Sequence, residues 1–194
     1  FSAVSAVGQM LGLSQEDRPY TGLSLTHANA QIITLGSILY FGLRGVISRK
    51  FTKSRLWDIT RQYGCTVFNL LGGMTTAIYS EAVKPDDGDN TVRFVISAGM
   101  PESIWENFRS RFNVDICEFY GAAEGGLTLN PMGVGPVGSI GMAPPTLEVK
   151  ILDEDDVECP RGIAGEICFR NADGSVPQIN YFKNSLASQK KTKG

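Results

Sequence analysis

Histidine is nearly missing from this chain: a single one, His27, stands among 194 residues. A zinc centre built on several imidazoles is thereby disfavoured. The four cysteines, Cys65, Cys117, Cys159 and Cys168, form no CxxC pair, so neither a metal knuckle nor a redox motif is read from them, and four reduced thiols in a cytoplasmic setting are expected. Neither sign of charge dominates. Eighteen Lys and Arg against twenty Asp and Glu leave a net charge of −2, which offers no general attraction for nucleic acid or an anionic membrane. Long apolar runs are also absent. The longest, Ile32 to Val46, is broken by Gly36, Gly42 and Arg44 and is shorter than the roughly 20 residues of a spanning helix, so no transmembrane segment is expected. No GxSxG elbow supports Ser-His-Asp chemistry. There is no initiator Met, and Lys190 to Gly194 form no closing element; the chain is expected to be cut from something longer.

What is present is an ordinary globular composition, 42% apolar and 20% charged, long enough to bury a core without staples. Val4, Val7, Leu11 and Leu13 are spaced mostly by three and four, as at the end of a helix. Strands are then predicted over Tyr20–Leu25, Gly45–Lys50, Cys65–Asn69, Val92–Ser97 and Val114–Tyr120. Helices are predicted between them: His27 to Leu43, a segment capped by Thr52 or Ser54 and closing at Gly64, Gly73 to Ala82, and a run opening at Pro101 with Ile104, Trp105, Phe108 and Phe112 at helical spacing. This alternation implies an α/β fold, a doubly wound, mostly parallel sheet with helices on both faces. Ligands of such sheets bind beyond the carboxyl ends of the strands. The site is therefore expected in the loops after Leu25, Asn69, Ser97 and Tyr120.

After Glu124 the composition turns to Gly and Pro, and helices are expected to stop. Two alternating strands follow, Leu147–Asp153 and Ile163–Arg170, read as a small antiparallel β subdomain over 136–194 appended to an α/β part over 1–135. Gly133-Val-Gly-Pro-Val-Gly138 spells GxGxxG, but no strand and helix bracket it tightly and Pro136 removes a backbone donor, so a structural turn is the better reading. The acidic runs Asp153–Asp156 and Asp86, Asp87, Asp89 read as solvated turns. Cys65 and Cys117 lie inside apolar strands and read as packing residues.

The densest constellation is Cys117-Glu-Phe-Tyr-Gly-Ala-Ala-Glu-Gly-Gly126, a strand running into a glycine-containing loop. Gly121 permits a tight turn, Tyr120 offers an aromatic face to a planar base, and Glu124 supplies a hard oxygen ligand suited to Mg²⁺. The alternative is a strand end with a packed Tyr and a solvent-facing Glu.

Tyr120-Gly121-Ala122-Ala123-Glu124 resembles the YGxTE signature of the adenylate-forming superfamily, which includes acyl-CoA synthetases, luciferases and nonribosomal peptide adenylation domains. Five further segments match in order and spacing. Ser97-Ala-Gly-Met-Pro101 is similar to the adenine-side loop, Leu25-Thr-His-Ala-Asn29 to the histidine-bearing segment of acyl-CoA synthetases, and Gly138-Ser-Ile-Gly141 with Pro144 to the loop after YGxTE. Gly162-Ile-Ala-Gly-Glu166 resembles the GExGE strand, and Asn180-Tyr-Phe-Lys-Asn184 the GYxxxP segment.

The resemblance implies a piece of the large N-terminal domain of an AMP-dependent synthetase and ligase, without the C-terminal lid. It also implies a two-step reaction in which a carboxylate attacks ATP to give an acyl-adenylate and pyrophosphate, and a thiol, CoA, then displaces AMP. The acid would be fatty or carnitine-like. Gly99, Met100 and Pro101 would line one side of the adenine pocket and Glu118, Phe119 and Tyr120 the other, with Gly121 and Ala123 in the signature turn. Glu124 would hold Mg²⁺ and act in catalysis, and His27 would stand near the reacting carboxylate. Ala28 to Gln31 and Leu70 to Met74 are candidate walls of the acyl tunnel.

There are departures from the family pattern. Ala123 replaces the signature threonine, whose hydrogen bond to a charged phosphate oxygen would be worth about 1.5–3 kcal/mol. Asn180 and Ser185 replace the usual Gly and Pro, and Thr146 a usual Gly. A degenerate nucleotide-binding module is therefore one alternative. A member activating an aryl or amino acid for a carrier protein is another, although His27 followed by Ala-Asn-Ala favours CoA ligation.

Overall fold

The computed structural model describes residues 2–131, 134–176 and 178–191; Gly133, which opens the GxGxxG run, lies outside them. The chain divides into two compact units, Phe1–Phe119 with Leu129–Gly141, and Tyr120–Thr128 with Met142–Gly194. Helix α1 (Ser2–Met10) leads to β1 (Pro19–Thr21), and a π-helical run (Asn29–Gly36) continues into α2 (Ser37–Phe41) and then β2 (Val46–Ile47). A 3₁₀ turn (Lys53–Arg55) opens α3 (Leu56–Tyr63), which is followed by β3 (Val67–Leu71), α4 (Gly72–Tyr79) and β4 (Phe94–Ala98). A second 3₁₀ turn (Glu102–Ile104) opens α5 (Trp105–Phe112), then come β5 (Asp115–Gly121) and β6 (Leu127–Leu129). Helices therefore alternate with strands as the apolar spacing predicts.

The sheet order is β2-β1-β3-β4-β5-β6, and the β1–β2, β1–β3, β3–β4 and β4–β5 pairs are parallel. In-register side chains of a parallel sheet share a face. Tyr20, Phe68, Val95 and Ile116 form one such row. They pack against Leu56 and Trp57 of α3, Ile78 of α4, and Trp105, Phe108 and Phe112 of α5. Trp57 stacks on Phe112 with ring centroids 4.6 Å apart. The π-helical run contacts β3 and packs with α1 and α2, so both faces of the sheet are covered and the α/β expectation holds.

Several boundaries differ from the sequence reading. The strand expected over Tyr20–Leu25 stops at Thr21, because the Thr21 hydroxyl accepts the Leu23 N–H at 3.1 Å and draws the backbone out of the ladder. Thr52 precedes the first 3₁₀ turn but makes no side-chain cap. Part of the GxGxxG run does turn, with Ser139 N–H donating to Pro136 O at 3.1 Å.

The second unit contains an antiparallel hairpin, β7 (Leu147–Leu152) with β8 (Glu166–Asn171), in register from Leu147↔Asn171 to Leu152↔Glu166. Its acidic tip is a turn in which Asp153 Oδ1 accepts the N–H groups of Asp155 and Val157 at 3.0 and 2.9 Å. Helix does not end with the first unit: Ser185–Lys191 form α6, nucleated by Asn184, whose Oδ1 accepts the Ala187 N–H at 3.1 Å as an N-cap. Among the described residues no helix is long and apolar enough to cross a membrane.

Candidate functional site

The loops after β1, β3 and β4 leave the same edge of the sheet, since their strands are parallel. Three elements converge after β4. Glu118, on β5 and in register with Ser97, is only 3% exposed and takes the Gly99 N–H on Oε1 at 2.6 Å. The Met100 N–H reaches both carboxyl oxygens at 3.2 Å. Burial pushes the Glu118 pKa above the ordinary glutamate value, and these two amide donors work against the rise. The loop is also held from β3: Gly99 has φ +97°, and a Cβ on Gly72 would lie 2.7 Å from the Gly99 carbonyl oxygen. Pro101, φ −65°, then caps the second 3₁₀ turn.

Gly99, Met100, Pro101 and Glu118 are thus brought together in the first unit. Phe119 is separated from Glu118 by strand alternation, its side chain lying on the opposite face of β5, where it is 8% exposed. His27 sits in an exposed turn before the π-helical run, with its Nδ1 accepting the Asn29 N–H at 3.2 Å.

Beside His27 lies a feature the sequence reading missed. Asn69 of β3 donates through Nδ2 to Asn29 Oδ1 at 2.5 Å, and both side chains are buried. The pair leaves Asn29 Nδ2 and Asn69 Oδ1 without a hydrogen-bond partner. A polar residue inside the otherwise apolar run Val67–Leu71 is the signal that marks it.

The second unit contains the signature turn. Tyr120 and Gly121 end β5, and Gly125 N–H closes the turn onto Ala122 O at 3.1 Å. Tyr120 stacks on Phe169 of β8, centroids 6.0 Å apart and planes within 3°. Gly126 makes room for that ring, because a Cβ there would meet Phe169 Cδ2 at 2.6 Å. Ala123 is exposed, and Glu124 is half-buried. Glu124 Oε1 accepts the phenolic O–H of Tyr181 at 2.7 Å. That bond is the main reason the Glu124 carboxyl titrates below the ordinary glutamate range, and it raises Tyr181 in turn.

Cys65 and Cys117 are packing groups. Burial pushes Cys65 up to about 11 and Cys117 up to about 12, and Cys117 donates to Asn130 O at 3.1 Å. Asp87 is spent on Arg111, 2.7 Å away. Among the described residues no three His, Cys, Asp or Glu side chains cluster to hold a metal. A single carboxylate such as Glu124 suits Mg²⁺, which keeps several waters and binds through one or two carboxylates together with substrate phosphates.

Comparison with known proteins agrees with this architecture. The long-chain fatty acid transport protein 1 of Bos taurus is 35% identical over 172 residues, covering 83% of this chain and 26% of that protein. The medium/long-chain-fatty-acid–CoA ligase FadD17 of Mycobacterium marinum is 31% identical over 190 residues, covering 96% of this chain and 36% of that protein. The chain therefore spans well under half of either relative. The O-succinylbenzoate coenzyme A synthetase of Bacillus subtilis, solved in complex with ATP and magnesium ion, superposes with a TM-score of 0.77 at 22% identity over 100% of this chain and 40% of that one. The sequence model of the AMP-binding enzymes matches residues 1–176. By that match, and by the six ordered motifs on this fold, the chain belongs to the AMP-binding enzyme family of the adenylate-forming superfamily.

Proposed function

We propose that the chain is part of an ATP-dependent carboxylate–CoA ligase that converts a fatty acid to its acyl-adenylate and then to its acyl-CoA. The observation that carries this reading is the signature turn, which holds an aromatic ring and an ionised carboxylate, Tyr120 and Glu124, within five residues at the end of β5. The names of the two relatives support fatty acid as the substrate, and one of them supports CoA as the acceptor.

In this reading Gly99, Met100 and Pro101, held by Glu118, bind the adenine through backbone and apolar contact. Tyr120 offers its ring to the purine, with Phe169 fixing the ring plane. Gly121 and Ala123 shape the turn, with Phe119 anchoring its approach from the buried face of β5. Glu124 ligates the metal, and His27 orients the acid's carboxylate for attack at the α-phosphorus, which expels pyrophosphate. Bound Mg²⁺ supplies charge neutralisation for the phosphates, a contribution of several kcal/mol. Glu118 is a positioning residue: its carboxylate, by tying two successive amides, sets the height of the loop beside the base.

The test is carboxylate-dependent exchange of labelled pyrophosphate into ATP by the full-length protein. Exchange is expected with long-chain acids, and Glu124→Ala is expected to lower it by about 100-fold or more, the equivalent of several kcal/mol of lost charge stabilisation. Exchange unaltered in that variant refutes the metal assignment. ATP binding by calorimetry without any exchange would favour the degenerate module, the reading that Ala123 suggests.

A further inference from the structure

The Asn180–Asn184 segment has no role in the function proposed above, yet its tyrosine makes the bond on Glu124. We propose that Tyr181 is a positioning residue that braces the Glu124 carboxylate so that it meets a hard divalent cation through one oxygen only. This inference rests on the reading of Glu124 as the metal ligand.

The geometry is that of a built support. A carboxylate has two oxygens, and Tyr181 donates to one of them, Oε1, at 2.7 Å, which directs a cation to the other. Mg²⁺ demands near-ideal octahedral geometry and holds its waters tightly, so a carboxylate prevented from swinging into two-oxygen contact is the better ligand. Groups that hydrogen-bond a ligating carboxylate fix its orientation, and their loss costs roughly 10- to 100-fold in metal affinity.

Tyr181 is itself anchored. Its backbone N–H donates to Ser188 Oγ at 2.9 Å, and the Ser188 hydroxyl donates to Asn184 O at 2.9 Å. Asn184 also caps α6 through the Ala187 N–H. The first turn of α6 therefore holds the residue that steadies Glu124, and the segment carries Asn180 and Ser185 where the family has Gly and Pro. The brace lies wholly within the second unit.

The experiment is binding of Mn²⁺, with ATP, to the full-length protein, followed by electron paramagnetic resonance and paired with Mg²⁺ activation curves. Tyr181→Phe is expected to weaken Mn²⁺ binding about 10-fold and to raise the Mg²⁺ concentration for half-activation equally, while the rate at saturating Mg²⁺ recovers to near the wild-type value. A merely structural role would not give that split. Glu124→Ala should remove the site. Wild-type Mn²⁺ binding by Glu124→Ala would overturn the metal reading itself. Loss in Glu124→Ala together with unchanged binding in Tyr181→Phe would overturn the brace alone. Should Tyr181→Phe fail to fold, Ser188→Ala decides: it keeps the phenol but frees its anchor, and unchanged metal affinity there overturns the proposal.

Discussion

In the α/β unit Phe68, Phe94, Phe108 and Phe112 are at most 1% exposed, whereas in the second unit Val149 and Ile151 stand 37% open on β7 and Phe182 stands 89% open. The first unit is specified by burial, with rows of in-register side chains on one face of the sheet meeting three helices. The second relies on the β7–β8 ladder and on discrete contacts, among them the Tyr120–Phe169 stack, the Tyr181–Glu124 bond and the Asn184 cap of α6. The glycine-containing turn after β5 has little apolar surface to bury, so its geometry depends on hydrogen bonds and ring packing. Geometry held by a few contacts is also geometry that single substitutions can shift without unfolding the chain.

Three measurements sharpen that contrast. The largest effect is expected in the first unit, where Phe108→Ala removes a fully buried ring packed 4.7 Å from Phe112 and 6.5 Å from Tyr79. Its cost should be about 3–5 kcal/mol, read as a shift of the urea midpoint of that unit by tryptophan fluorescence from Trp57 and Trp105. A smaller effect is expected for Phe169→Leu, which keeps apolar bulk but removes the stack on Tyr120. About 0.5–1.5 kcal/mol is expected, seen in hydrogen exchange of the β8 amides. A cost equal to that of Phe108→Ala would erase the distinction between the units.

The smallest effects are in pH dependence, and they divide by sign. Asp17 is buried, which alone would raise its pKa, but bonds from Thr66, Ser14 and Arg93 outweigh burial and hold it below the ordinary aspartate value. A depressed folded-state pKa means that the stabilisation from Asp17 is present above about pH 4 and is lost as pH falls below that. Glu118 is raised, so its contribution is fully present below about pH 4.3 and is lost as pH rises through the folded-state value. Denaturation at several pH values should therefore show Asp17→Asn flattening the acid limb and Glu118→Gln flattening the slope above about pH 4.3. The opposite assignment of the two limbs would show that the hydrogen-bond balance is misread.

Much of the α/β framework is legible in the sequence because apolar spacing records burial. Ile104, Trp105, Phe108 and Phe112 repeat at helical intervals, and each of the last three is buried in the core of the structure. Elements that bury little leave no such record. The three-residue strand β6 is defined by long-range pairing, with Asn130 N–H reaching Glu118 O at 3.2 Å. The helix α6 reads as Ser-Leu-Ala-Ser-Gln-Lys-Lys, with no apolar periodicity, and its signal is the cap Asn184. Among the residues named for the site, Gly99, Met100 and Glu118 were readable as motif members, but the hydrogen bonds joining them span 18 or 19 positions. The Glu124–Tyr181 pair spans 57, and no local pattern announces a partner that far away. Asn69 stands out as a polar residue in an apolar run, but nothing local points to its partner Asn29, 40 positions away.

The unequal fate of the four thiols has a practical consequence. With Cys65 buried in the link between α3 and β3, Cys117 buried in β5, and their pKa values pushed up to about 11 and about 12, almost no thiolate exists there at neutral pH, and thiolate is the form that alkylating reagents attack. Cys159 and Cys168, both half-buried, lie in the other unit; burial, with the Glu166 and Asp156 carboxylates, raises the Cys168 thiol as well, which leaves Cys159 as the preferred target. Without any engineering, the protein directs a maleimide dye away from its core and toward the neighbourhood of the hairpin.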